Sequence, residues 1–339
     1  ERAVNGSVKG APELARWGRK GIVKNTPGQL RQRITSKFIN VTPNHHAIAE
    51  RWSMSDNFYA DSEFSLDGHH WLSGAYPSLW TERAVLDTDE ISRRHLSSAP
   101  GRLMFTEPPS LLRAESMTEP GTLWHHLEKH NISFRNFGSA TQSFTNTAIP
   151  EPLFQNTSRK YPPFNTDISD QKRADLLIEE MKSIRELPRY ISIHLPNDRM
   201  SSPRPGAGYP FEASFIADND LALGRIIEYL SSRPEWKETA VFITESNAHG
   251  GIDHVDAHRT ILMVAGPYAK KNYASHTNTS FPGLMKTIYR ILGVPALNLY
   301  DATASDLADC FEDRPDFTPY RALPSSKEIF DPAELTSGN

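Results

Sequence analysis

The chain has 339 residues, 38% of them hydrophobic and 10% aromatic, which is enough material for a packed core and excludes intrinsic disorder. Its 37 Lys and Arg stand against 41 Asp and Glu, a net charge of −4, so no basic surplus exists to neutralise nucleic-acid phosphates. No apolar run approaches the roughly 18 residues of a membrane span, and the one cysteine, Cys310, has no partner for an internal disulfide.

Residues 1–33 read as a basic, irregular arm or linker remnant, followed by one domain over 34–325 and a tail over 326–339. The first residues lack the apolar core of a signal peptide, which fits a cytosolic chain or a mature exported one. Thr42-Pro43 is a helix-start signal, with Ile48, Ala49 and Trp52 as a short apolar stripe. A helix is expected over 121–130 and a strand over 132–137. Ser169 or Asp170 opens a longer helix with Ala174, Leu177, Ile178, Met181 and Ile184 at spacings of three and four. A strand over 190–194 follows. A helix over about 218–232 places Leu223, Ile226, Ile227 and Leu230 on one face. Apolar strands over 240–244 and 260–265 come next. Ser280-Phe281-Pro282 opens a last helix with Leu284, Ile288, Ile291 and Leu292 inward, and Gly293 stops it. The Pro-rich stretch 313–339 is expected as surface coil.

Helices alternating with wholly apolar strands predict an α/β/α sandwich around a mostly parallel sheet. The strands over 190–194, 240–244 and 260–265 are expected as central neighbours. In such folds ligands bind beyond the carboxyl ends of the strands. Three such ends are dense in polar residues: His194 to Arg199, Thr244 to Arg259, and Asp61 to Trp71. Together with His45-His46 they hold eight of the thirteen histidines. Carboxylates and imidazoles at strand ends suit a divalent cation. The turn Gly68-His69-His70 is expected to open a short helix whose free N–H groups suit an anion.

The segments Val41-Thr-Pro-Asn-His-His-Ala-Ile-Ala, Asp56-Asn-Phe-Tyr and Asp67-Gly-His-His-Trp resemble the bacterial phosphoesterase family of the alkaline phosphatase superfamily. So do Leu195-Pro-Asn-Asp, Ala217-Asp-Asn-Asp-Leu-Ala-Leu-Gly and Asp253-His-Val-Asp-Ala-His-Arg-Thr. The similarity is greatest to the branch often fused behind a YVTN-type β-propeller, and relatives include phospholipase C-like and acid phosphatase enzymes. The resemblance implies hydrolysis of a phosphate ester assisted by a divalent metal (Ca, Mg, Mn or Zn), and a periplasmic or extracellular location. It implies catalytic roles for His70, His69 and Asp67. It places metal ligands at Asn25, Glu245, Ser246, Asn247 and His249. Supporting positions are His194, Asn197, Asp198, Asp253, His254, Asp256 and His258.

The chain departs from the family pattern at four of these places. The acidic pair expected after Thr244 is here Glu245 followed by Ser246-Asn247. The Glu-Asn pair near the domain start corresponds to Lys24-Asn25. Leu-Pro-Asn-Asp continues with Arg199 instead of His. His70 stands where relatives carry a nucleophilic Ser or Thr, or an Asn. Exchanging Asp for Ser or Asn removes charge that holds a hard cation, and with it nucleophile activation and charge stabilisation. Two readings follow: a phosphoesterase that rebuilds a histidine-rich metal site, or a catalytically degraded member serving as a structural or binding subunit, without a metal, in an extracellular assembly. A sulfatase-like reading is weaker, because Cys310 lies far from these loops in the chain.

Overall fold

The computed structural model describes residues 2–3, 6–7, 21–24, 35–62, 65–77, 118–140, 151–199, 201–248 and 255–331. Short antiparallel pairs come first: β1 (Arg2–Ala3) with β2 (Gly6–Ser7), and β3 (Gly21–Lys24) with β4 (Thr35–Ile39). Part of the arm expected to be irregular is therefore β-structure. Helix α1 (Pro43–Arg51) leads into β5 (Ser53–Ser55) and β6 (Phe58–Tyr59). Then come α2 (Ser65–Gly74), α3 (Leu123–Lys129), β7 (Phe134–Phe137), α4 (Glu151–Asn156), α5 (Asp170–Ser183) and β8 (Tyr190–Ile193). Helix α6 (Glu212–Ser231) precedes β9 (Val241–Thr244), β10 (Leu262–Ala265), β11 (Tyr273–Ser275), β12 (Thr279–Ser280), α7 (Phe281–Leu292) and α8 (Leu299–Thr303).

The architecture is an α/β/α sandwich. Its four-stranded sheet has the order β11-β5-β10-β9, with β5, β9 and β11 pointing one way and β10 the other. All four residues of β10 are buried. Successive side chains point to opposite faces of a sheet, so β10 is covered on both. β7 and β8 form a separate parallel pair. This corrects the expectation that 190–194, 240–244 and 260–265 are three adjacent strands. β9 and β10 are neighbours, whereas β8 pairs with β7. A continuous apolar run reports burial on two faces but does not name the hydrogen-bonded partner. Between β8 and β9 lies a cavity of about 1520 Å³, walled by Ile191, Ile193, Leu223, Ile226, Ile227, Val241 and Ile243.

The helices follow local chemistry. Ser169 caps α5, its Oγ accepting from the Lys172 amide at 3.1 Å, as a serine at that position should. Gly293 ends α7 in the left-handed conformation, φ 73°, where a Cβ would be strained. α6 starts at Glu212, six residues before its expected start, because Ser214 Oγ accepts from the Phe211 amide at 3.1 Å and closes the first turn. Ile291, expected inward, is 47% exposed at the margin of the buried arc of α7. The C-terminal coil is stitched to the body: Tyr320 Oη donates to Asn44 Oδ1 at 2.9 Å, and Ser214 Oγ donates to the Ile329 carbonyl at 2.6 Å.

Candidate functional site

The loop after β8 is a 3₁₀ turn, Pro196–Arg199, clamped from below. Its Asn197 is fully buried: the amide donates to Asp170 Oδ2 at 3.0 Å and Nδ2 to Asp218 Oδ2 at 2.7 Å. Asn219 Nδ2 donates to Asp170 Oδ2 at 3.1 Å and to the Leu195 carbonyl at 2.9 Å. Arg173, also fully buried, reaches Asp170 Oδ1 at 3.2 Å and donates to the carbonyls of Pro163, Asn165 and Ile168. Two buried carboxylates are tolerated there because a guanidinium and a set of N–H donors surround them. The clamp fixes the turn and leaves the next residue, Asp198, on the cavity wall.

The loop after β9 is tied to α2. Ser62 Oγ donates to the Ser246 carbonyl at 3.0 Å, and the Ser65 and Ser246 hydroxyls are 2.8 Å apart. Gly68 lets this contact form, since a Cβ there would sit 1.7 Å from the Ser246 carbonyl oxygen. Because α2 begins at Ser65, His69 and His70 lie within the helix and not at its opening. That corrects the expected helix start at Gly68-His69-His70, and with it the anion-binding N-terminus placed there.

Glu245 and Asp198 share the cavity wall. Burial pushes both carboxyls up to about 7, and for Asp198 the neighbouring Glu245 raises it further while His45 acts the other way. Both keep some accessible surface, but it faces the cavity, so the cost of ionising them stands. His69 and His194 meet edge to face with ring centroids 5.1 Å apart. Burial holds His69 down at about 4. Burial, then the proximity of His69, holds His194 at about 3. Both rings are neutral near pH 7, and each offers a lone pair.

The structure thus brings His69, His194, Asp198, Glu245 and Ser246 to one cavity. Asn197 is buried beneath it in the clamp. His70 is buried within α2 and, like Asp67 and Asn247, does not line the cavity. Asp256 and His258 pair with each other at 2.8 Å on the exposed loop that precedes β10. Asn25, His249, Asp253 and His254 fall outside the described residues. Among the wall residues to which the sequence assigned no role are His45 and Arg259. His45 counts among the clustered histidines, but its pairing with an acidic residue of α6 has no local sequence signal.

A divalent centre needs several oxygen or nitrogen donors converging at about 2.0–2.6 Å. Among the described residues no three His, Cys, Asp or Glu side chains are arranged to share an ion. Ser246, at a position where a carboxylate is expected, spends its hydroxyl on Ser65. The described residues by themselves do not fit a carboxylate-held metal.

The fold is alkaline phosphatase-like. Residues 41–295 match the Phosphoesterase family, and the chain belongs to it. No curated protein matches the chain. Among solved structures, it is similar to a protein of the alkaline phosphatase superfamily from Vibrio parahaemolyticus, with 14% identity and a TM-score of 0.50, covering 86% of this chain and 66% of that one. It is also similar to the phosphonate monoester hydrolase of Agrobacterium radiobacter, with 13% identity and a TM-score of 0.51 over 80% and 72% of the two chains. A Bacteroides thetaiotaomicron protein from a locus for glycosaminoglycan metabolism gives 12% identity and 0.51 over 82% and 71%. The chain spans just under two thirds of the Vibrio protein.

Proposed function

We propose that this domain binds phosphate esters in the cavity between the ends of β8 and β9, and that it hydrolyses them weakly or not at all. Family membership supports the ligand class. The observation that carries the loss of activity is the Ser246 contact. Its hydroxyl and carbonyl hold the β9 loop to Ser65 and Ser62, so the residue serves packing and brings no negative charge for a cation. Metal-assisted phosphoryl transfer requires that charge to hold the ion. Under this reading the chain works as a binding or structural subunit outside the cytoplasm, beside other subunits or a β-propeller, as the family resemblance suggests.

A second reading is a working hydrolase. It draws on the Asp198–Glu245 pair, whose carboxyls, raised to about 7, are matched to proton transfer near neutrality.

The test assays aryl phosphate mono- and diesters with added Ca²⁺, Mg²⁺, Mn²⁺ or Zn²⁺, alongside the double variant Ser246→Asp, Asn247→Asp. Turnover by the unaltered protein at about 1–10³ s⁻¹, the usual enzyme range, sinks the first reading in favour of the second. Metal binding gained only by the double variant supports the first.

A further inference from the structure

His45 and Asn44 are adjacent in α1 and end in opposite surroundings. Asn44 is fully buried, its side chain bonded to Asp220, Tyr320 and the Leu323 backbone. His45 turns toward the cavity, its side chain 22% exposed and part of the wall that also carries Asp198 and Glu245. Behind it stands Asp220 of α6, wholly buried.

Asp220 is heavily bonded. Its Oδ2 accepts from the Asn44 amide at 3.0 Å and Asn44 Nδ2 at 2.8 Å; its Oδ1 accepts from the His45 amide at 2.8 Å. These bonds already cap the first turn of α1. The imidazole adds a further contact, with Nδ1 2.6 Å from Asp220 Oδ1. A carboxylate at Nδ1 fixes the proton on that nitrogen and orients the ring. The atom left for the cavity is Nε2, at the opposite corner of the ring.

We propose that His45 is a substrate-binding residue of the cavity, its Nε2 hydrogen-bonding the phosphoryl group of the bound phosphate ester while Asp220 holds the ring from behind. Nothing in the sequence motifs marks His45 for this role; the pairing with a residue 175 positions away does. Two carboxyls on the cavity wall repel an anion, and Arg259 on the same wall brings a positive charge to set against them.

The inference rests on the phosphate-ester reading of the cavity, and the experiment separates the two. Inorganic phosphate is titrated into the full chain by calorimetry, and into protein with ¹⁵N-labelled histidine by NMR. His45→Gln keeps an N–H for Asp220 and removes the ring with its Nε2. Expected are at least a tenfold loss of phosphate affinity in that variant, a melting temperature within a few degrees of the parent, and movement of the His45 Nε2 resonance in the parent on adding phosphate. If the parent binds phosphate while His45 Nε2 stays still, or if the variant binds equally well, His45 is only a structural partner of Asp220 and the inference falls. The NMR arm uses the parent alone, so a poorly folding variant does not rescue the idea. If the parent binds no phosphate, the proposed function fails, and the role of His45 falls with it.

Discussion

The protein buries two pairs of carboxyls, and burial raises all four, Asp170 to about 7 like Asp198 and Glu245, but their surroundings differ. Asp170 and Asp218 sit under the β8 turn among an Arg173 guanidinium, two asparagine amides and backbone N–H groups. Asp198 and Glu245 stand on the cavity wall, where burial raises both to about 7 and the neighbouring Glu245 adds to the rise at Asp198. The first pair is a structural joint between α5, α6 and the turn. Among the described residues the second pair has no such set of side-chain donors and lines a cavity, which is the mark of groups kept for a ligand. Substitutions in the two regions should therefore move stability in opposite directions.

The largest effect is expected from Arg173→Ala. It leaves Asp170 buried without its cation and takes a donor from each of three carbonyls, a loss of about 3–5 kcal/mol. Chemical denaturation at pH 7 measures it, and a loss below about 1 kcal/mol would end the distinction between the pairs. Next is Gly68→Ala. The added methyl meets the Ser246 carbonyl, so α2 and the β9 loop must part, at about 1–3 kcal/mol. A crystal structure of that variant with the Ser65–Ser246 contact intact would refute the packing argument.

Glu245→Gln should go the other way. A carboxyl raised in the folded state favours folding only while protonated. That contribution is lost as pH rises from the ordinary carboxylate range through about 7, so at pH 8 the ionised group carries its full cost. Its replacement by a neutral amide should stabilise the protein at pH 8 by about 1–2 kcal/mol and have little effect at pH 4. Destabilisation at pH 8 would make Glu245 a structural group like Asp170.

The same contrast explains what was legible in the sequence. The α5 stripe from Ala174 to Met181, the Ser169 cap and the Gly293 stop are local signals, and each stands where expected. Strand 241–244 and strand 262–265 were visible as apolar runs, but the reversed direction of β10 and the separation of β8 from β9 were not. Pairing is a long-range choice that no periodicity records. In the candidate site, Asn197 and Asp198 are neighbours of equal polarity, and only the fold sends one into the clamp and the other to the cavity. His45 and Asp220 both stand in segments that resemble the family, but their pairing was not legible, because the contact spans 175 residues.

The smallest effect at neutral pH, and the one that tests the electrostatics of the cavity, belongs to His69→Gln. A histidine lowered to about 4 is neutral when folded and takes up a proton when unfolded, near its ordinary value of 6.5. It therefore contributes stability that is complete above pH 6.5 and lost as pH falls toward 4. Asp198 and Glu245 act with the reverse sign over an overlapping range, gaining stability as pH falls from about 7. Each group alone gives a slope of up to about 1.4 kcal/mol per pH unit. In the parent these slopes oppose one another between about pH 4.5 and 6.5, the span between the ordinary carboxylate and imidazole values. Removing His69 takes away one of the opposing slopes. The variant should match the parent at pH 7 to within about 0.5 kcal/mol, then gain on it by about 1 kcal/mol for each pH unit down to about 4.5. Urea unfolding of both proteins at pH 7, 6 and 5 measures the difference. Parallel curves would mean that His69 takes up its proton in the folded state as readily as in the unfolded one, so that the ring is open to water and not held neutral against His194.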